Sequence, residues 1–198
     1  MIQLRLETPE DYKRVEQLTY QAFLHADIPG RDYCDEHLLV HNLRNAPCFV
    51  PELDYVAETG GKIVGNIMFA KSDIEQPNGE TTQVLTFGPL SVLPAFQNRG
   101  IGAQLVRHTL EKARGLGFRA VFIFGHPGYY PRFGFVNAKE FGVTTPEGEN
   151  FDAFMGLPLY ANALAGVSGR FILDPFYEID RNELAEFNKT FFSLPQEE

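Results

Sequence analysis

Six consecutive residues, Gln97-Asn98-Arg99-Gly100-Ile101-Gly102, carry the types and spacing that suit phosphate binding. They stand between an apolar, strand-like run (residues 84–92) and a run of helical period (residues 103–116). The first N–H groups of a helix have no partner inside it, and the helix dipole makes that end positive. Glycine lets backbone come close to a ligand and reach positive φ. A phosphate-bearing ligand is the natural occupant of such a junction. Two nucleotide readings fail on composition. A Walker A loop requires Gly-Lys-Ser/Thr, which the chain lacks, and a dinucleotide fingerprint requires glycine at position 105, which is Leu105. That fingerprint also follows the first strand of its unit, not a fourth.

The elements that position this loop are legible from local patterning. Residues 2–7 alternate as a strand, and Thr8-Pro9-Glu10-Asp11 starts a helix with Thr8 as N-cap and Pro9 at the first helical position. Val15, Leu18, Ala22 and Phe23 continue it at helical spacing, residues 27–32 form a loop, and residues 34–44 form a second short helix. Strands are expected over 54–58 and 62–72, joined by Gly60-Gly61, and over 82–92 after the turn at 77–80. Gly88-Pro89 interrupts the last of these, because proline cannot donate to a ladder and a mid-strand glycine marks a bulge or close approach. After the helix come a short, fully apolar strand (120–124) and an aromatic-rich turn region (125–135). Two further strands (153–159 and 169–173) precede a C-terminal helix that opens on Asp180 and Glu183 and runs to about residue 192.

The 198 residues are enough for one large domain with a proper core. No stretch approaches about 18 consecutive apolar residues, so no membrane-spanning helix is expected, and the N-terminus lacks a signal peptide's apolar region. Two cysteines, Cys34 and Cys48, do not make a disulfide framework, which fits a cytoplasmic location. The net charge of −9 argues against nucleic acid as a partner and is compatible with a cationic substrate. Yet Arg99, Arg107, Lys112, Arg114 and Arg119 face only Glu111 between positions 97 and 119. This local excess of positive charge is either a solvated helix face or an attraction for an anionic cofactor.

Taken together, Gln97-Asn98-Arg99-Gly100-Ile101-Gly102, the preceding Leu90-Ser91-Val92 and the later Tyr130-Pro131-Arg132-Phe133-Gly134-Phe135 resemble the motifs of the GNAT superfamily of acyl-CoA-dependent N-acetyltransferases. The Gly125-His126-Pro127, Tyr129-Tyr130 and Arg132-Phe133-Gly134-Phe135 version is similar to a bacterial branch of that superfamily. Order and spacing agree from residue 2 to about residue 135. The resemblance implies an α/β fold with a mixed, mostly antiparallel sheet whose fourth and fifth strands are parallel and splay around acyl-CoA. It implies a single N-acetyltransferase domain over 1–198, with a cofactor-binding core at 1–135 and C-terminal strands and helix at 136–198 completing the substrate side.

Roles follow residue by residue from the same resemblance. Gln97, Asn98, Arg99, Gly100, Ile101, Gly102 and Ala103 would form the cofactor loop, their N–H groups cradling the pyrophosphate of acetyl-CoA. Leu90, Ser91 and Val92 would carry the pantetheine arm, with the Leu90 N–H aimed at the thioester oxygen. Tyr130 would be the general acid that protonates the departing thiolate. The acceptor would be a primary amine, a small molecule being favoured over a protein or peptide, with a non-catalytic acyl-CoA-binding module as the remaining alternative. A lid built from residues 160–168 would favour the small acceptor. A homodimer is allowed.

An ammonium with a pKa of about 10.4 must lose a proton before it attacks. His126, Asp27, His25 and a water chain to backbone carbonyls are all candidate bases. Cys34, His37 and His41 have metal-like spacing, but Leu38 stands where a zinc-protease motif needs Glu, and there is no fourth ligand. Solvent-facing histidines and no metal are the expectation.

Overall fold

The computed structural model describes residues 1–24 and 33–193. Within them lie nine strands and four α-helices, in the order β1 (Gln3–Leu6), α1 (Tyr12–Phe23), α2 (Glu36–Leu43), β2 (Tyr55–Thr59), β3 (Lys62–Glu75), β4 (Thr81–Val92), α3 (Ile101–Gly115), β5 (Ala120–Phe124), β6 (Val136–Asn137), β7 (Val143–Thr144), β8 (Phe154–Pro158), β9 (Gly169–Ile172) and α4 (Arg181–Phe191). The pairing is mostly antiparallel, and β4 and β5 are parallel. Two features differ from expectation. β4 runs unbroken through Gly88-Pro89. β6 and β7 were not foreseen; at two residues each they are too short to show a period.

The chain divides into two compact units, one of residues 1–68, 89–105 and 175–198, the other of 69–88 and 106–174. In the first, β1 pairs with β2 from Gln3↔Glu58 to Leu6↔Tyr55, and β2 pairs with β3 around the Gly60-Gly61 turn. Val15 and Leu18 of α1 and Leu38 and Leu43 of α2 are buried with Val56, Val64 and Ile67. Polar groups tie these layers. Thr8 donates from both its N–H and its hydroxyl to the Asp11 carboxylate at 2.9 Å. Arg5 reaches the same carboxylate at 2.6 and 2.9 Å and Glu58 at 2.9 Å. Deeper, Arg44 is forked by Glu7 at 2.8 and 3.0 Å and bonded to Glu16 at 2.8 Å. Asp54 is buried and accepts from Asn66 at 3.0 Å. Burial and the adjacent Glu7 carboxylate hold its carboxyl well above the ordinary range. A buried cluster with more acids than bases settles its charge in this way, by keeping a proton.

In the second unit, β3 and β4 form a hairpin closed by Gln76 and Glu80, whose N–H···O bond is 2.9 Å. β9 joins β3 antiparallel, and β7 joins β9. β5 pairs antiparallel with β8 along its whole length, while its parallel pairing with β4 is a single register, Leu85↔Val121. Phe122, Phe154 and Phe171 form the core with Ile74, Val84, Val143 and Leu164. Each buried ring removes apolar surface at about 25 cal/mol per Å².

The Arg5 guanidinium holds the Asp11 carboxyl down at about 2. A depressed acid stabilises the fold fully above its unfolded pKa of about 3.9, and that stabilisation is lost as pH falls toward the folded value. Asp11→Asn should therefore lower the unfolding free energy at neutral pH by about 1–2 kcal/mol, discounted for the half-exposed Arg5. The difference from the parent should close by about pH 2 in urea denaturation; a gap that stays constant into acid would contradict the assignment.

Candidate active site

In the first unit the end of β4 is pinned before the chain turns. The Leu93 N–H donates to the Val64 carbonyl at 3.0 Å, and the Ser91 hydroxyl bonds Thr19 of α1 at 3.1 Å, both side chains being fully buried. Ser91 thus points toward α1, while Leu90 and Val92 on either side of it are half-buried. A short turn at Pro94–Phe96 follows, and the Gln97 carboxamide donates back to the Val92 carbonyl at 3.1 Å. The backbone then enters the left-handed region at Asn98 (φ 58°) and Gly100 (φ 79°). Asparagine tolerates that region better than most side chains. Gly100 meets no steric obstacle within 4 Å, so its requirement for glycine is conformational.

α3 begins at Ile101, two residues earlier than its period suggests. Its first backward bond runs from Gln104 N–H to the Gly100 carbonyl at 3.0 Å. The N–H groups of Gly100, Ile101, Gly102 and Ala103 precede that bond and have no helix carbonyl to pair with. Ile101 and Leu105 are buried and anchor the helix start, whereas Gln97, Asn98, Arg99 and Gly100 are exposed. The result is an exposed turn on a fixed base, leading into a helix N-terminus of the kind that suits an anion.

Basic residues after the loop divide in role. Arg99 lies over the Phe96 ring, 5.3 Å from its centroid. In the second unit Arg114 bonds the Leu159 carbonyl at 2.5 Å and Arg119 the Ala163 carbonyl at 3.4 Å. Arg114 and Arg119 therefore fasten the segment after β8, an outcome that neither reading of the local charge excess anticipated. Ala163 and Leu164 are buried, while Tyr160, Ala161 and Asn162 before them and Ala165, Gly166 and Ser168 after them are exposed.

Tyr130 also belongs to the second unit, at the start of a short turn Tyr130–Phe133 that ends on Gly134. Its ring packs against Tyr129 at 5.1 Å, Phe87 at 5.7 Å, Phe135 at 5.9 Å and Phe133 at 6.3 Å. Burial raises the phenol above the ordinary tyrosine range, with Tyr129 adding to the effect, so it carries its proton at neutral pH. Two neighbours in this arrangement, Phe87 and Gly125, escaped the sequence reading. A glycine directly after an apolar strand is a signal of close approach, and Gly125 supplies it.

The candidate bases fare unequally. His126 is exposed, and its Nδ1 accepts from the Gly128 N–H at 3.0 Å. In that tautomer Nε2 carries the proton, so the single lone pair of the neutral ring is already engaged. His25 and Asp27 lie outside the described residues. Of the two histidines of α2, His41 is exposed as expected and His37 is a correction. His37 is fully buried, with Nε2 2.7 Å from Asn188 Oδ1 and its ring 4.7 Å from that of Phe191. His41 Nδ1 bonds Glu16 at 2.9 Å. α4 covers His37, which helical period alone could not show. Among the described residues no group of three or more His, Cys, Asp or Glu is placed to hold a metal ion.

A mixed sheet with parallel β4 and β5, and a glycine turn from β4 into α3, define a class. Residues 11–135 match the Acetyltransferase (GNAT) family, and the chain belongs to it. It is 28% identical over 166 residues to the Uncharacterized N-acetyltransferase YhbS of Escherichia coli strain K12, covering 84% of this chain and 92% of that protein. It is 39% identical over 87 residues to the Uncharacterized N-acetyltransferase YjhQ of the same strain, spanning 43% of this chain and 46% of YjhQ. The crystal structure of Escherichia coli YhbS in complex with CoA is similar with a TM-score of 0.76 at 28% identity, over 89% of this chain and 91% of that one. A GNAT family acetyltransferase from Brucella melitensis in complex with acetyl-CoA gives 0.71 at 29% identity, over 90% and 99%. No helix among the described residues is long and apolar enough to cross a membrane.

Cys34 donates to Glu36 Oε2 at 3.4 Å. Burial pushes its thiol up to about 12, with the Glu36 carboxylate adding to the shift. The reactive thiolate is therefore scarce at neutral pH. Iodoacetamide should leave Cys34 unmodified in the folded protein and alkylate it readily in denaturant, as read by mass spectrometry. Labelling of the folded protein at the rate of a free thiol would show the assignment to be wrong.

Proposed function

We propose that the protein transfers an acetyl group from acetyl-CoA to a primary amine by direct attack, residues 1–198 serving as one transferase domain. The observation that carries the proposal is the turn with exposed residues at 97–100 that leads into α3, where the N–H groups of Gly100, Ile101, Gly102 and Ala103 precede the first helix bond. Family membership and the CoA and acetyl-CoA bound by the two similar crystal structures name the anion that such a turn would hold. On this reading Gln97 to Ala103 take the pyrophosphate, and Leu90, Ser91 and Val92 offer backbone to the pantetheine arm.

The neutral amine attacks the thioester carbonyl and a C–N bond forms. The Leu90 N–H stabilises the oxyanion, the C–S bond breaks, and the leaving thiolate takes the Tyr130 phenol proton. The amine loses its second proton to solvent, from which Tyr130 is reprotonated. The protonated, hydrogen-bonded Cys34 supports a route without a covalent acyl-enzyme.

A small-molecule acceptor is favoured, in keeping with the attraction of a net charge of −9 for compact cations. Incubation with acetyl-CoA and a panel of a polyamine, an aminoglycoside and a lysine peptide, with thiol release followed, tests both points. Turnover of the peptide alone would reassign the protein as a peptide acetyltransferase. CoA binding without turnover of any amine would indicate a regulatory module.

Tyr130→Phe should lower kcat by about 10²-fold or more with little change in acetyl-CoA affinity. An unchanged kcat would remove the general-acid assignment. Gly100→Val forces a β-branched residue into left-handed backbone, at a cost of about 1–2 kcal/mol. Calorimetry should show CoA binding weakened by about 5- to 30-fold; unaltered affinity would refute the loop assignment.

A further inference from the structure

Gly125 follows the last residue of β5 in the second unit, and its N–H donates to the Ala153 carbonyl at 2.8 Å. The backbone at this point is tied down. Gly125 is not among the glycines with positive φ, so alanine is conformationally permitted there. What limits the position is space. The three atoms nearest to a Cβ built on Gly125 all belong to the Tyr130 ring; Cδ2 would lie 2.6 Å away, Cε2 closer, and Cζ 3.3 Å away. Real Cβ atoms essentially never approach below 3.0 Å, so either the ring or the backbone would have to move.

The ring has little room on its other sides. Phe87 and Phe135, both buried, lie 5.7 and 5.9 Å from it, and Tyr129 stands edge-on at 5.1 Å. Tyr129 is itself backed by the Arg132 guanidinium, 4.6 Å from its centroid. The Tyr129 N–H bonds the His126 carbonyl at 2.9 Å, closing the turn that returns Tyr130 over Gly125. Close-packed aromatics leave displacement toward water as the direction of least resistance.

We propose that Gly125 is a positioning residue for the reaction: its bare α-carbon is the surface on which the Tyr130 ring is seated, and any side chain there unseats the proton donor. The inference rests on the general-acid reading of Tyr130. It separates two uses of glycine in this chain. Gly100 supplies a backbone angle, whereas Gly125 supplies the absence of a side chain.

The test compares the parent, Gly125→Ala, Tyr130→Phe and the double variant, with acetyl-CoA and whichever amine of the panel turns over fastest. Gly125→Ala should lower kcat by about 10²-fold, as Tyr130→Phe does, with KM for acetyl-CoA changed by no more than about twofold. The double variant should be no slower than Tyr130→Phe. A second readout needs no amine. The ultraviolet absorbance of tyrosinate, differenced against the matching Tyr130→Phe protein, reports ionisation of Tyr130 alone. It should move from above the ordinary range down toward about 10 in Gly125→Ala, as the ring gains water.

Parent-like kcat and parent-like Tyr130 ionisation in Gly125→Ala, beside an impaired Tyr130→Phe, overturn the inference. So does a double variant whose loss is the product of the two single losses, since that signals independent structural damage. Parent-like turnover by Tyr130→Phe overturns the general-acid reading instead, and the titration then still decides whether Gly125 seats the ring. If Gly125→Ala does not fold, Phe87→Leu loosens the same ring without adding bulk and should shift the ionisation in the same direction; no shift overturns the inference.

Discussion

Pro89 stands inside a twelve-residue strand and brings no N–H to it. A strand carrying such a residue cannot be laddered completely on both edges. β4 accommodates it by remaining one strand while limiting its registered parallel pairing to Leu85 and Val121. The use proposed for Leu90, Ser91 and Val92, further along the strand, is to offer backbone to a ligand that lies alongside as an extra strand. The same strand must then stop firmly, because a loop that presents N–H groups needs a fixed base. The Leu93 bond to Val64, the Ser91–Thr19 pair and the buried Ile101 and Leu105 provide that base.

The chemistry assigned to the two units calls for opposite environments, and each unit supplies its own. An anion needs exposed donors and retains some water, so the turn at 97–100 is exposed. A phenol that must keep its proton needs the reverse, so Tyr130 sits among Tyr129, Phe87, Phe133 and Phe135. Desolvation penalises the phenolate, which leaves Tyr130 protonated at neutral pH. The cluster around Arg44 follows the same rule. Two acids satisfy the guanidinium, and the neighbouring Asp54 keeps a proton in place of an uncompensated buried charge.

Local chemistry made much of this visible in one dimension. Asp180 caps α4 by accepting from Asn182 and Glu183 at 2.9 and 3.0 Å, as its residue type and position imply. The short apolar run at 120–124 is β5 with the boundaries its hydropathy suggests. Glu183, in contrast, does not return to its own helix start as a capping box would have it; its carboxylate accepts from Asn42 at 2.9 Å. A partner 141 positions away competed for it, and nothing in the local pattern names that partner.

The motifs at 90–92, 97–102 and 130–135 carried the resemblance that implied the family and its cofactor, and the absence of a third glycine and of a Walker lysine removed the nucleotide readings, because each of these depends on residues within a few positions of one another. Tertiary structure alone decided which side chains meet. It covered His37 with Phe191, committed Arg114 and Arg119 to carbonyls more than forty positions away, and laid Tyr130 on Gly125. Those outcomes depend on volume and burial shared among distant segments, and a one-dimensional pattern carries neither quantity. The six-residue turn could be read before folding; the seat of the Tyr130 ring could be read only afterwards.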